Sequence, residues 1–192
     1  MRQKEDIKTV YNAALKVFAE FGYKKTTVED IAGELGMTKG NIYRYAKDKK
    51  DLYDKAVAHA LLKWQGLVRD AIIKENDVRN QFLVMSRKAV EYLSKDKHLR
   101  QILIHDPDIF PLFDEVDPYK KINRASEAML KSIISRGVRE GKFRVMNEDS
   151  AARSLFSIYK LLIIRTYIRS EGKRMEQIFE GTLDLISRGL FK

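Results

Sequence analysis

The chain has 192 residues, no cysteine, and 37 Lys plus Arg against 27 Asp plus Glu, a formal net charge of +10. That length suits one ordinary domain, or a small domain joined to a larger one, with room for an apolar core that needs no staples. The missing cysteine excludes disulfides, thiolate catalysis and cysteine-ligated zinc or iron–sulfur sites, and the basic balance points to a polyanion, most often nucleic acid.

Apolar residues recur at helical spacing along almost the whole sequence, and few prolines or glycines interrupt them. Ile7, Tyr11, Ala14, Phe18 and Phe21 form the first stripe, stopped by Gly22. Thr27 to Asp30 reads as a capping box with Asp in place of Glu or Gln, and Val28, Ile31, Ala32 and Leu35 give two turns before Gly36. Thr38 opens a short third helix running to about Tyr45. Asp48 opens a long fourth one with the stripe Tyr53, Val57, Ala60, Trp64, Leu67 and Ala71. Asp77 starts a fifth (Val78, Phe82, Met85, Ala89, Tyr92), and a short sixth carries Leu99, Ile102 and Leu103. Residues 106–118 hold all three prolines and read as a loop. Asp117-Pro118 starts a seventh helix that Gly141 stops. An eighth runs from Asn147 to about Ser170, closed by Gly172, and a ninth covers about Met175 to Leu190. The densest apolar run, Leu161 to Ile164, is far below the ~20 residues of a membrane span, and no secretory segment is visible. The expectation is an all-α, soluble, cytoplasmic protein with no membrane partner.

The segment from Thr27 to Tyr45 has the dimensions of a helix-turn-helix. Such a unit needs an apolar inner face, here Val28, Ile31 and Leu35, and a tight turn, which Gly36 permits. Its second helix must present polar and aromatic groups to a major groove. Thr38, Lys39, Asn41, Tyr43 and Arg44 meet that need, with Ile42 as the inward anchor. Lys47, Lys49 and Lys50 follow close by. The bland alternative is a solvated basic helix end.

The run Thr26-Thr27-Val28-Glu29-Asp30-Ile31-Ala32-Gly33-Glu34-Leu35-Gly36-Met37-Thr38-Lys39-Gly40-Asn41-Ile42-Tyr43-Arg44-Tyr45, followed by Lys49-Lys50-Asp51-Leu52, resembles the tetracycline-repressor (TetR) family of bacterial regulators. The motif resemblance covers roughly residues 5–55; beyond that, helix number and lengths agree. It implies an N-terminal three-helix DNA-binding domain, residues 1–50, and an approximately six-helix ligand-binding and dimerisation domain, residues 51–192. It also implies a homodimeric regulator, most simply a repressor, that binds a palindromic double-stranded operator and is released by an unidentified small-molecule effector. Carried over residue by residue, Thr27 caps the first motif helix towards a phosphate. Lys39, Gly40 and Asn41 lie near base edges, Tyr43 touches phosphate or a thymine methyl, and Tyr45 and Lys49 match phosphate contacts. Ala46 departs from the pattern, because many members carry a phenylalanine there that packs the motif against the fourth helix.

For the C-terminal part, Trp64, Leu67, Phe82, Ile102, Phe110, Phe113, Met129, Ile133 and Phe156 are candidates for lining a pocket for an apolar or aromatic ligand, against the alternative of ordinary core. The eighth helix is apolar on more than one face, so a dimer interface is expected on Leu155, Tyr159, Leu162 and Ile163, joined by Phe179, Leu183, Ile186 and Leu190 of the ninth. Arg165 is an outlier that either meets a ligand or partner acid, or covers apolar surface with its stem. His59, His98 and His105 have no metal-binding spacing, and no phosphate loop or nucleophile elbow is present. No metal, no cofactor and no catalytic residue is expected. The competing class is a helical-pocket enzyme or small-molecule carrier in which the helix-turn-helix-like segment is incidental.

Overall fold

Aspartates at sequence breaks accept bonds from the first free N–H groups of the helices that follow, which fixes where those helices start. Asp48 accepts from Asp51 N at 2.8 Å, Asp77 from Arg79 N at 2.8 Å, and Asp96 from Leu99 N at 2.9 Å. A computed structural model of the chain describes residues 6–106, 109, 117–168 and 172–192. Among these the helices are α1 (Ile7–Lys25), α2 (Val28–Glu34), α3 (Lys39–Ile42), α4 (Lys49–Ile72), α5 (Val78–Lys95), α6 (Lys97–His105), α7 (Lys120–Arg139), α8 (Glu148–Ile168) and α9 (Gly172–Leu190). The described β pairing is a single antiparallel bridge, Phe143 to Phe191. Among the described residues no helix is long and apolar enough to cross a membrane.

Four boundaries differ from the sequence reading. Asp117 accepts from Tyr119 N at 2.7 Å, but α7 begins only at Lys120, so Pro118 stands in the turn before the helix. Gly22 takes a left-handed φ of 78° and kinks the end of α1, which resumes as far as Lys25. The third helix stops at Ile42, three residues early, and the chain goes on as turns. Gly172 opens α9 instead of closing α8. Phe21 and Ile7, expected to face inward, lie in the terminal turns of α1 and stay exposed.

Two apolar cores share α4. The first gathers Val10, Ala14 and Phe18 of α1, Val28 and Ile31 of α2, Ile42, and Leu52 to Leu61 of α4, with Leu99, Ile102 and Leu103 of α6. The second gathers Val68 and Ile72 of α4 with α5, α7, α8, α9 and Phe143. The partners of α4 therefore change halfway along it, and its buried face turns with them. Phe143 stacks on Phe191 at 5.1 Å and meets Phe82 edge-on at 6.3 Å. Its ring sits where a Cβ on Gly137 would be, at 2.3 Å, so α7 needs glycine at that position.

Candidate functional site

The helix-turn-helix is built from its caps inward. Thr27 and Asp30 form the capping box: Asp30 N donates to Thr27 Oγ1 at 3.2 Å, and Thr27 N donates to Asp30 Oδ2 at 2.8 Å. The bond from the Thr27 backbone holds the Asp30 carboxyl below its ordinary range. Gly36 turns the chain at a left-handed φ of 60°, and Met37 N donates to Ala32 O at 2.8 Å. Ile31, Ala32 and Ile42 are buried, which presses α2 and α3 onto α1.

What remains outside is the polar set read from the sequence. Thr27, Thr38, Lys39, Gly40, Tyr43 and Arg44 are exposed, Asn41 is half-buried beside them, and the Tyr43 ring is 44% exposed. Thr38 begins α3 through its backbone, and its side chain makes no capping bond. Lys39 Nζ pairs with Glu29 Oε1 at 2.6 Å, tying α3 to α2. That hydrogen bond lowers the Glu29 carboxyl and raises the Lys39 ammonium from their ordinary values.

Lys49 and Tyr45 do more inside the fold than their expected phosphate contacts suggest. Lys49 Nζ donates to Tyr23 O at 2.9 Å and Thr26 O at 3.0 Å and lies 4.5 Å from the Tyr23 ring centroid. Two of its three donors thus close the end of α1 onto the start of α4. Tyr45 is half-buried against the first core, and Ala46 is buried beside it, so the smaller side chain at that position is covered in this fold.

A second feature lies in the larger body. A cavity of about 100 Å³ lies between five helices: α4 gives Leu61, Trp64, Gln65 and Val68, and α5 gives Phe82, Met85 and Ala89. Ile122, Asn123, Ser126 and Met129 of α7 form another wall, and α8 and α9 close it with Phe156, Tyr159, Lys160, Phe179 and Leu183. Trp64 is held by a bond from Nε1 to Ala89 O at 2.9 Å, and Gln65 Nε2 donates to Ile122 O at 2.9 Å and to Ser126 Oγ at 2.7 Å.

Of the pocket candidates named from the sequence, Trp64, Phe82, Met129 and Phe156 line this cavity and the other described ones do not. Leu67 is 43% exposed on an open groove with Lys95 and His98, because α4 turns Val68 inward where its partners change. Ile102 is sealed in the first core and Ile133 in the second. Phe110 and Phe113 lie outside the described residues.

The residues assigned from the sequence to a dimer interface have these places in the single chain. Leu155, Tyr159, Leu162, Phe179, Leu183 and Ile186 line the cavity, Ile163 is buried in the first core, and Leu190 is buried in the second. Among the described residues of α8 and α9 the most exposed large apolar groups are Ile158, which also borders the cavity, Leu161 at 46% exposure and Leu185 at 72%. Arg165 is exposed and outside the cavity lining. Sequence reasoning missed Gln65, Asn123, Ser126 and Lys160. For Lys160 a signal existed, since Phe156, Lys160 and Ile163 follow one another at spacings of four and three on the buried face of α8. Among the described residues no cluster of three His, Asp or Glu could hold a metal ion.

Residues 10–56 match the family model described as "Bacterial regulatory proteins, tetR family". The uncharacterized HTH-type transcriptional regulator YhgD of Bacillus subtilis is 25% identical over 161 residues, covering 81% of this chain and 81% of that protein. The HTH-type transcriptional repressor KstR2 of Mycolicibacterium smegmatis is 29% identical over 140 residues, covering 68% and 64%. Among solved structures, the transcriptional regulator FadR of Bacillus subtilis in complex with stearoyl-CoA superposes with a TM-score of 0.80 at 18% identity, covering 96% and 99%.

Proposed function

The chain belongs to the TetR family of DNA-binding transcriptional regulators, and we propose that it is a repressor that binds a palindromic operator as a homodimer and lets go when a small apolar ligand enters the cavity. It is a regulator and not an enzyme, as are the proteins it resembles. Residues 1–50 read DNA, and residues 51–192 sense the ligand and pair the subunits. The observation that carries this reading is α4: its first half packs in the core that holds Ile31 and Ile42 of the helix-turn-helix, and further along it forms a wall of the cavity.

In this reading Asn41 and Lys39 meet base edges, while Thr27, Tyr43, Arg44 and the remaining donor of Lys49 meet phosphate. The outward apolar groups of α8 and α9, Ile158, Leu161 and Leu185, supply the contact between subunits. Two recognition helices then lie about one turn apart, ~34–36 Å, or a longer related spacing. The repressor sense is supported by the relative named as a repressor. Ligand control is supported by the structural neighbour that holds stearoyl-CoA.

Fluorescence anisotropy with duplexes from the region upstream of the protein's own operon tests this. Binding is expected to depend steeply on salt and to favour an inverted repeat, and Asn41→Ala is expected to relax preference at one base position. A salt slope near zero on every duplex refutes the DNA reading. A Trp64 emission unchanged by every apolar compound tried refutes the ligand reading.

A further inference from the structure

We propose that the cavity selects an uncharged apolar molecule that carries a hydroxyl group, and that Gln65 and Asn123 read the hydroxyl through their amide oxygens; this rests on the cavity being the effector site. On the walls supplied by α4, α5 and α7, every polar side chain donates to the protein. Trp64 Nε1 donates to Ala89 O, and Ser86 Oγ to Phe82 O at 3.0 Å. Gln65 Nε2 donates to Ile122 O and to Ser126 Oγ, and Ser126 Oγ itself donates to Ile122 O at 3.3 Å. Asn123 Nδ2 donates to Asp117 Oδ2 at 2.8 Å, while Tyr119 N donates to the other oxygen of that carboxylate.

These bonds fix which end of each amide is which. A carboxylate only accepts, so Asn123 must turn its nitrogen to Asp117, and Gln65 must turn its nitrogen to the Ile122 carbonyl. What is left over on each side chain is an oxygen. Among the described residues nothing donates to Gln65 Oε1 or Asn123 Oδ1. Asn123 is only 6% exposed and Gln65 is half-buried, and both line the cavity. Buried acceptors are nearly always satisfied, so two without a donor in one lining call for a donor from outside the chain. A hydroxyl supplies it. An ether, a ketone or an ionised carboxylate brings only further acceptors. An ammonium donates, but it must leave water for a lining in which, among the described residues, no carboxylate stands. Val68, Phe82, Met85 and Met129 take the apolar body, and a space of about 100 Å³ suits a short chain better than a large ring system.

Hexanol and its isomer methyl pentyl ether contain the same atoms in nearly the same volume and differ in the donor. Both, with hexylammonium, are titrated into the full chain, and binding is read by the emission of Trp64 and by calorimetry. The ether leaves water more readily than the alcohol, so a cavity without acceptors prefers the ether. Hexanol is expected to bind about three- to tenfold tighter than the ether, the size of one hydrogen bond, and hexylammonium more weakly than hexanol. Gln65→Met and Asn123→Leu keep the bulk of each side chain and remove the amide; each is expected to reduce the preference for hexanol, and the double variant to reverse it. Thermal melting checks that the variants fold, and the two isomers on the unaltered protein test donor preference without any variant. Ether binding equal to or tighter than hexanol, or a hexanol preference that survives in the double variant, overturns the role of the two oxygens and leaves the cavity reading standing. Hexylammonium binding tighter than hexanol overturns the uncharged class. Failure of all three compounds to bind overturns the cavity reading itself.

Discussion

The pair between Glu29 and Lys39 sets a testable limit on how α3 meets DNA. Both side chains are exposed, and their 2.6 Å contact occupies the first lysine of the recognition helix. When Lys39 turns to DNA it must leave Glu29, so the pair competes with DNA for the ammonium and Lys39 displaces less than one DNA counterion per subunit. Glu29→Gln removes the competitor. A lysine held fully in the charged groove contributes up to ~0.9 to the slope of log affinity against log salt, so two subunits steepen it by up to ~1.8. Between 50 and 200 mM salt, a 0.6 change in the logarithm, that amounts to at most ~1.1 log units, about a tenfold greater loss of affinity than in the unaltered protein. The assay is anisotropy with one operator duplex across that salt range, with Lys39→Ala and the double variant alongside. The gain should vanish when Lys39 is also removed. An unchanged slope in Glu29→Gln, or a full gain in the double variant, refutes the placement of Lys39 at the nucleic acid.

Gly137→Ala places a methyl 2.3 Å from the ring of Phe143, which is fully buried between Phe82 and Phe191 and has nowhere to retreat. A loss near the upper end of the ~1–3 kcal/mol typical of overpacking is expected from urea unfolding. Thr27→Ala removes the hydroxyl bond to Asp30 but keeps the backbone one, so it should lower the melting temperature and return the Asp30 carboxyl only part of the way towards its ordinary value, followed by its side-chain carbon shift in an NMR titration. Because Asp30 is depressed in the folded state, its contribution is present above the unfolded aspartate range and is lost as pH falls through the folded value, so the acid limb of the stability profile should flatten in this variant. Leu161→Glu puts a charge on the outward apolar face of α8. Light scattering should then show a monomer and operator affinity should collapse; a dimer that persists refutes the proposed interface.

The starts of α2, α4 and α5 were legible because each is a local event: an acid or hydroxyl two or three residues from the N–H it caps. Thr27, Asp48 and Asp77 needed no tertiary information. The exposed face of α3 was legible for a related reason, since Ile42 alone fixes which side is inward. The cavity was not, because it depends on which helices α4 meets along its length. A stripe read as one line through Trp64 and Leu67 takes no account of a change of partner, whereas the buried face passes through Leu61, Val68 and Ile72. The same ambiguity holds for the α8 and α9 residues. A helix apolar on two sides shows that it has two partners, but not which side belongs to its own protomer.

That ambiguity bears on how a ligand acts. A helix of 24 residues spans ~36 Å and is stiff over that length. Its first half is held by α1 and α6, and Lys49 and Tyr53 anchor it there: Lys49 to the end of α1, and Tyr53 through a 2.7 Å hydrogen bond from its hydroxyl to Asp106. Burial and that bond both push the Tyr53 hydroxyl well above its ordinary range, so it remains a donor at any physiological pH. Its second half packs along α5 and forms a wall of the cavity. Trp64 stands at the join, packed against both cores and lining the cavity. In the proposed reading, a ligand that widens the cavity acts on the second half, and the stiff helix carries the displacement to the anchored half. The response is limited by the difference in ligand affinity between the two positions of α4, and the ~1–3 kcal/mol usual for coupled sites allows a 5–150-fold change in DNA affinity. A ligand that merely fills the existing space without moving Trp64 has no such difference and leaves DNA binding unchanged, however tightly it binds.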